Sequence, residues 1–281
     1  MFGQKGRLGS PLRARSRPAN NTVDVSDPPE RPEREGVTDS IRSELERLLG
    51  PGARAFGGIE RRVRPLWREV TEGEPRWPVS IALVVAIVLQ LFLPNRLSVH
   101  PRWILAGLEG ALLVGLIIAN PRRIEKHSPN LRIASLALIG AISLVNGWSA
   151  VRLIRGLINK TEPAKAAELL RTGGSIWLTN VIVFALWYWE LDRGGPAARS
   201  QAENDYPDFL FPQMQQPEVA PPGWAAGFID YFYLSFTNAS AFSPTDVLPL
   251  TRWAKLTMLV QSVVSLVTVV LVVARAVNIL G

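Results

Sequence analysis

Residues 258–274 read MLVQSVVSLVTVVLVVA, 17 consecutive positions without a charged side chain. A helix that crosses a bilayer needs about 20 predominantly apolar residues, and the wider stretch 253–280 supplies them. Toward the N-terminus the same signal recurs four times. Residues 77–93 (WPVSIALVVAIVLQLFL) are bounded by Pro78 and Pro94, and residues 103–120 (WILAGLEGALLVGLIIAN) are closed by Pro121. Residues 131–157 hold a third run, centred on 133–151, and residues 175–191 (SIWLTNVIVFALWYWEL) a fourth. Trp77, Trp103, Trp148, Trp187, Trp189 and Trp253 sit near the ends of these runs, where indole prefers the headgroup level. The fold class read from this pattern is all-α: a polytopic membrane helix bundle with five spans.

Between the fourth and last runs the pattern weakens. Residues 224–242 (WAAGFIDYFYLSFTNASAF) are moderately apolar and contain Asp230 and Asn238. They read as a polar sixth span or a re-entrant segment, and re-entrant backbone is tolerated only where protein or a water-filled cavity covers it. Residues 192–222 are polar and Pro-rich and read as an exposed loop.

The whole chain has 31 Lys+Arg against 24 Asp+Glu, a net charge of +7, and no Cys. A disulfide scaffold and a thiolate metal site are excluded. The charge is segregated: residues 1–77 carry 15 Lys/Arg and 12 Asp/Glu, which with the apolar runs excludes a single water-soluble globule. Residues 1–76 read as a disordered and interfacial basic tail. Lys5, Arg7, Arg13, Arg15 and Arg17 form its basic arm, read as a solvated tail rather than a tether to anionic lipid or nucleic acid. Thr38 or Asp39 could cap a short helix bearing Ile41, Leu45, Leu48 and Leu49, and Phe56, Ile59, Val63, Trp67 and Val70 alternate with arginines as in an interfacial helix. The four regions are thus 1–76, the helices of 77–191, the loop 192–222 and a C-terminal unit 223–281.

Basic residues usually mark the cytoplasmic side. By that rule the tail lies inside, as does the loop with Arg122, Arg123, Lys126 and Arg132, while the loop with Arg152, Arg155, Lys160, Lys165 and Arg171 falls outside against the rule. A long tail is hard to export, so the expectation is an N-terminus inside.

Glu109 sits in the middle of the second run. An ionised carboxylate there costs several kcal/mol unless paired or hydrated, so it should face the bundle interior or be protonated, either as an ion or proton site or as a structural acid. Asp230 is the other intramembrane charge candidate. Gln90, Asn146, Asn180 and Gln261 are single amides in four runs and read as interhelical glue. Glu190 and Asp192 close the fourth run and read as an interfacial acid pair facing water.

Residues 230–280 run as a short aromatic helix, a Ser/Thr/Asn/Ala loop, a Pro-punctuated turn and a long apolar helix. This order resembles the pore helix, filter and inner helix of potassium-channel-type pores. The resemblance lays Ala239, Ser240, Ala241, Phe242 and Ser243 on the T-V-G-Y-G filter and brings Asp246 near the acid that follows it. Ala241 and Ser243 replace both filter glycines. Left-handed backbone costs other residues roughly 1–2 kcal/mol each, so potassium selectivity is not implied. The chain is also similar to bacterial integral membrane proteins that share the WYWELDRGGP and SFTNASAFSPTD stretches, which implies a multi-pass inner-membrane address and no particular activity. A channel-type loop would enter from outside and, over five spans, put the tail outside too.

Candidate pore or solute-binding residues are therefore Thr237, Asn238, Ser240, Ser243, Thr245 and Asp246, whose hydroxyls, amide and carboxylate could replace a solute's hydration. The resemblance implies the bilayer and an inorganic ion as partners, and a homo-oligomer, tetrameric by analogy, because one hairpin cannot close a pore. No nucleic acid is expected. There is no His cluster, no Ser/His/acid set, no phosphate loop and no G-x-G-x-x-G. The chain reads as no enzyme, with no catalytic residues, cofactor or metal. The alternative is a non-conducting membrane scaffold or accessory protein.

Overall fold

A computed structural model describes residues 65–119, 123–124, 128–162, 165–240 and 246–280, all within one compact unit, Ile59–Gly281. The basic arm, the capped short helix and the 56–63 part of the interfacial segment lie outside the described residues, as do Ser243 and Thr245. The chain is mainly helical. Four helices are long and apolar enough to cross a membrane: α2 (Arg102–Ala119), α3 (Pro129–Ile158), α4 (Ala166–Leu191) and the C-terminal Arg252–Leu280. α1 (Trp77–Leu91) is apolar but has 15 residues, about 22 Å of helix. Pro78 and Pro129 stand in the first turns of α1 and α3, where a missing N–H costs no helical bond.

Two short helices follow α4: α5 (Pro196–Ser200) and α6 (Pro212–Gln215). Then come α7 (Phe228–Ser240) and α8 (Arg252–Leu280). Two-residue strands clip the connections. β1 (Glu74–Pro75) pairs antiparallel with β2 (Arg123–Ile124), and β3 (Phe209–Leu210) with β4 (Leu248–Pro249). α4 is the hub and packs against α1, α3, α7 and α8. Ile182, Val183, Ala185 and Leu186 bury its sides in the core.

Cross-contacts fix the direction of each helix. At one end, Glu74 before α1 meets Trp189 at the close of α4 and Phe228 at the start of α7. At the other, Arg96 in the α1–α2 turn pairs with Glu162 in the α3–α4 turn and Glu168 in the first turn of α4, both at 3.1 Å. α8 runs antiparallel to α4: Gln261 meets Tyr188, Ser265 meets Asn180 and Val272 meets Gly173. α7 also runs antiparallel to α4, with Phe228 beside Trp189 and Phe236 beside Trp177. Consequently α7 and α8 run the same way, although they are consecutive helices. The link between them returns: Leu248–Pro249 pairs with Phe209–Leu210 at the end where α7 began. α7 has 13 residues, about 20 Å, short of the roughly 30 Å hydrocarbon layer.

The segment 192–222, expected as an exposed loop, is exposed over most of 201–206 and 215–222, but the rest of it is a folded cap. Pro196, Ala198, Arg199, Ser200, Phe209, Phe211 and Met214 are buried in it. The polar composition misleads because Phe209 packs edge-on against Tyr231 and Trp253 and tilted against Tyr188, and Phe211 packs edge-on against Tyr231. The fourth apolar run likewise belongs to a longer helix. α4 starts at Ala166, ahead of the apolar run, with Glu168 in its first turn, where the helix dipole favours an acid.

A Cβ on Gly173 would lie 2.7 and 2.8 Å from the methyls of Val272, whereas Gly174 faces open space. Gly173→Ala is therefore expected to destabilise the protein by about 1–3 kcal/mol. Thermal unfolding in detergent should show a lowered Tm, largely restored by adding Val272→Ala and absent in Gly174→Ala. Equal Tm values for the two alanine variants would place α8 elsewhere.

Candidate functional site

The run WYWELDRGGP ends α4 and builds the cap. Trp187 Nε1 donates to Ser143 Oγ at 2.9 Å, Tyr188 OH to Gln261 Oε1 at 2.6 Å, and Trp189 Nε1 to Glu74 Oε2 at 2.7 Å. Three successive side chains therefore reach three different elements, as a 100° turn per residue dictates. Beyond them Arg193 takes a left-handed conformation (φ 50°) and Gly195 has φ 100°. A Cβ on Gly195 would also come within 3.1 Å of the Glu190 carbonyl, so that position requires glycine.

Glu190 and Asp192, expected to face water, are both buried, at 4% and 0% exposure. Ser135 Oγ donates to Glu190 at 3.1 Å. Asp192 accepts more. Its Oδ1 takes the backbone N–H of Asp208 (2.9 Å) and Phe209 (3.4 Å), and its Oδ2 takes Tyr231 OH (2.5 Å) and Arg193 Nε (3.2 Å). Asp208 continues the chain of bonds, accepting from Arg193 N–H and from Trp253 Nε1, each at 2.8 Å. The two aspartates thus join the end of α4 to β3, α7 and the first turn of α8.

Arg199, also buried, donates to the carbonyls of Trp189 and Asp192 and to Glu74 Oε2, and its guanidinium lies 5.0 Å from the Tyr231 ring centre. Burial opposes its charge. Tyr231, Glu74, Asp192 and Glu190 outweigh that and hold the guanidinium more firmly protonated than a free arginine. Burial pushes the Glu74 carboxyl above the usual carboxylate range, against the pull of Arg199, Trp189 and the Phe228 N–H. Nothing in the local sequence announces this cluster. The nearest signal is three charges, Glu190, Asp192 and Arg193, abutting an aromatic run. A cleft of about 680 Å³ opens beside it, with Trp67, Glu69, Glu74, Arg199 and Trp224 in its wall. The cleft lies at the start of α7, and Thr237, Asn238, Ser240 and Asp246 are not in its wall.

Below the cap, Gln261 bonds with four groups while fully buried. Its Oε1 accepts from Tyr188 OH and from Asn238 Nδ2 (2.8 Å), and its Nε2 donates to Ser235 O (2.9 Å) and Oγ (2.6 Å). Among the pore candidates, Thr237 Oγ1 donates to the Tyr233 and Leu234 carbonyls, and Ser240 Oγ to the Thr237 carbonyl. Asn238 also donates to the Met258 carbonyl at 2.9 Å, and its Oδ1 accepts from Ser262. Asp246 is exposed after the undescribed 241–245. Asp230 Oδ2 accepts the Gly227 N–H at 2.8 Å, the third-residue half of a capping box on α7. Glu109 is fully buried on the inner face of α2, and neither carboxylate oxygen has a hydrogen-bond partner among the described residues. The structure brings Thr237, Asn238 and Ser240 together at the end of α7 and leaves Glu109 apart on α2. Among the described residues no His, Cys, Asp and Glu cluster is placed to hold a metal ion.

Asp192→Ala strips four donors of their acceptor and leaves the neighbouring arginines short of charge. The expected loss is about 3–5 kcal/mol, against about 0.5 kcal/mol or less for Asp246→Ala on the surface. Thermal unfolding in detergent should separate the two variants by several degrees, and matching curves would deny the cap its dependence on Asp192. In comparisons with known proteins, no family model, no curated protein and no solved structure matches the chain.

Proposed function

We propose that the chain is a multi-span membrane protein whose residues 230–280 work as a pore loop, carrying an inorganic ion or small solute when copies of the chain assemble. The observation that carries this reading is the shared direction of α7 and α8, with the intervening link returning to the cap. A helix of about 20 Å that enters a bundle and stops midway directs its carbonyl end, equivalent to roughly half a negative charge, at the middle of the membrane. Half-helix ends of this kind stabilise cations in transport proteins. The order of elements from the fourth run onward is also that of the potassium-channel-type module.

Charge supports an orientation. At the cap end Arg193 pairs with Asp192, Arg199 with Glu74 and Arg68 with Asp205, and Arg76, Arg123, Arg132, Arg252 and Lys255 lie there among the acids Glu69, Glu72, Glu190, Asp208, Asp230 and Asp246. The opposite end carries Arg96, Arg102, Arg152, Arg155, Lys160, Lys165 and Arg171 against Glu162 and Glu168. Taking that end as cytoplasmic satisfies the positive-inside rule for the 152–171 loop, sets the loop with Arg123 and Arg132 outside against it, and puts the cap outside. Residues 65–76 then lie outside as well, the reverse of the expectation from tail length. A second reading, a non-conducting scaffold, rests on one observation: Thr237, Asn238 and Ser240 spend their polar groups on helix packing.

Flux across proteoliposomes holding the purified chain separates the two. Potassium, sodium, calcium and chloride gradients should give a flux above empty vesicles for at least one ion, altered in rate or selectivity by Ser240→Ala. Silence for all four ions would overturn the pore reading in favour of the scaffold.

A further inference from the structure

We infer that the end of the bundle opposite the cap carries a binding site for the phosphate headgroup of an anionic phospholipid, built by Arg102 and Trp103 on α2 with Trp148 and Arg152 on α3. The two pairs are alike. The Arg102 guanidinium lies 5.1 Å from the Trp103 ring centre, and that of Arg152 lies 5.0 Å from the Trp148 ring centre. Both indoles are exposed, at 67% and 48%. Both guanidiniums are anchored on the same turn through neighbouring residues: Arg102 Nη1 donates to Asn95 Oδ1 and Arg152 Nη1 to the Arg96 carbonyl, each at 2.8 Å. The turn therefore brings the two guanidiniums to adjacent residues, Asn95 and Arg96.

Neither arginine has a carboxylate partner among the described residues, and each is held beside an exposed indole. The nearby acids are engaged elsewhere, since Glu162 and Glu168 both pair with Arg96. Among the described residues Arg102 and Arg152 touch only neutral oxygens. Each keeps further N–H donors in a planar fork, the geometry that suits a phosphate. Stacking on an indole fixes each fork while leaving its edge free. Exposed Trp beside Arg is the composition of the headgroup level, and Ile104, Leu108 and Leu144 continue exposed along the same helices where acyl chains would lie. Charge complementarity commits the site to an anionic headgroup rather than a zwitterionic one. The inference needs the helices to cross a bilayer but is independent of the pore reading.

Native mass spectrometry of the full chain, released from detergent with added phosphatidylglycerol, phosphatidylcholine or inorganic phosphate, tests it. Phosphatidylglycerol should be retained by the wild type, and bound roughly 30-fold more weakly by R102A/R152A. R102K/R152K, which keeps charge and stem, should fall between them, and Arg68→Ala at the cap should bind as the wild type does. Phosphatidylcholine should bind weakly to all. Equal phosphatidylglycerol binding in the alanine pair, or equal retention of the two lipids by the wild type, would overturn the site. Displacement of the lipid by millimolar phosphate would reassign the arginines to free anions and overturn it too.

Discussion

A carboxylate with no exposed surface holds this architecture in place. Asp192 sits just past α4 and accepts from the backbone of β3, from Tyr231 on α7 and from Arg193. Each of those bonds fixes a different segment, and the buried charge would be costly without them. Through β3 the constraint reaches β4, which brings the chain back to the cap before α8 begins. Through Tyr231 it fixes the start of α7. The parallel course of two consecutive helices is thus a consequence of the cap, and the cap a consequence of Asp192 and its partner Asp208.

Inside the bundle a different rule operates. Helices surrounded by lipid gain nothing from hiding leucine, so association relies on small residues and on hydrogen bonds. Gly173 lets α4 approach Val272, Asn180 bonds Ser265 at 2.9 Å, Asn146 donates to the Ile176 carbonyl, and Gln261 ties α4, α7 and α8 at one level. The opposite face of α8 presents Leu259, Val263, Leu266 and Val270 outward, as a lipid-facing or self-associating surface should. Asn146 Oδ1 and Thr172 Oγ1 are buried without a hydrogen-bond partner among the described residues, and Glu109 has both carboxylate oxygens in that state. Its two bare carboxylate oxygens set it apart from Asp230, whose carboxylate caps a helix.

The apolar helices were legible because a bilayer imposes a length and a composition that a single sequence displays. Their amides were legible as glue for the same reason: a lone Asn or Gln in an apolar run has few other uses. The cap was not legible. Its bonds join residues far apart, Glu74 to Phe228 across 154 positions and Asp192 to Tyr231 across 39, and local composition carries no trace of such pairing. Polarity at 192–222 was read as exposure, which holds for most of 201–206 and 215–222 but not for Asp192, Arg193 and Arg199, whose polar groups are bonded beside an aromatic core. Of the pore candidates, Thr237, Asn238 and Ser240 were expected in a loop but complete the last turn of α7, because their side chains bond to the backbone of their own helix and to α8.

Sidedness tests the central geometry most directly, and the absence of native Cys makes it accessible. Single cysteines at Val70, Tyr206 and Asp246 and at His100 and Lys160, all exposed positions, are labelled with an impermeant maleimide on intact and on permeabilised cells. The first three should react from one face of the membrane and the last two only from the other. Labelling of the Asp246 position from the Lys160 face would mean that residues 228–240 cross the membrane outright, which contradicts a helix that enters the bundle and turns back.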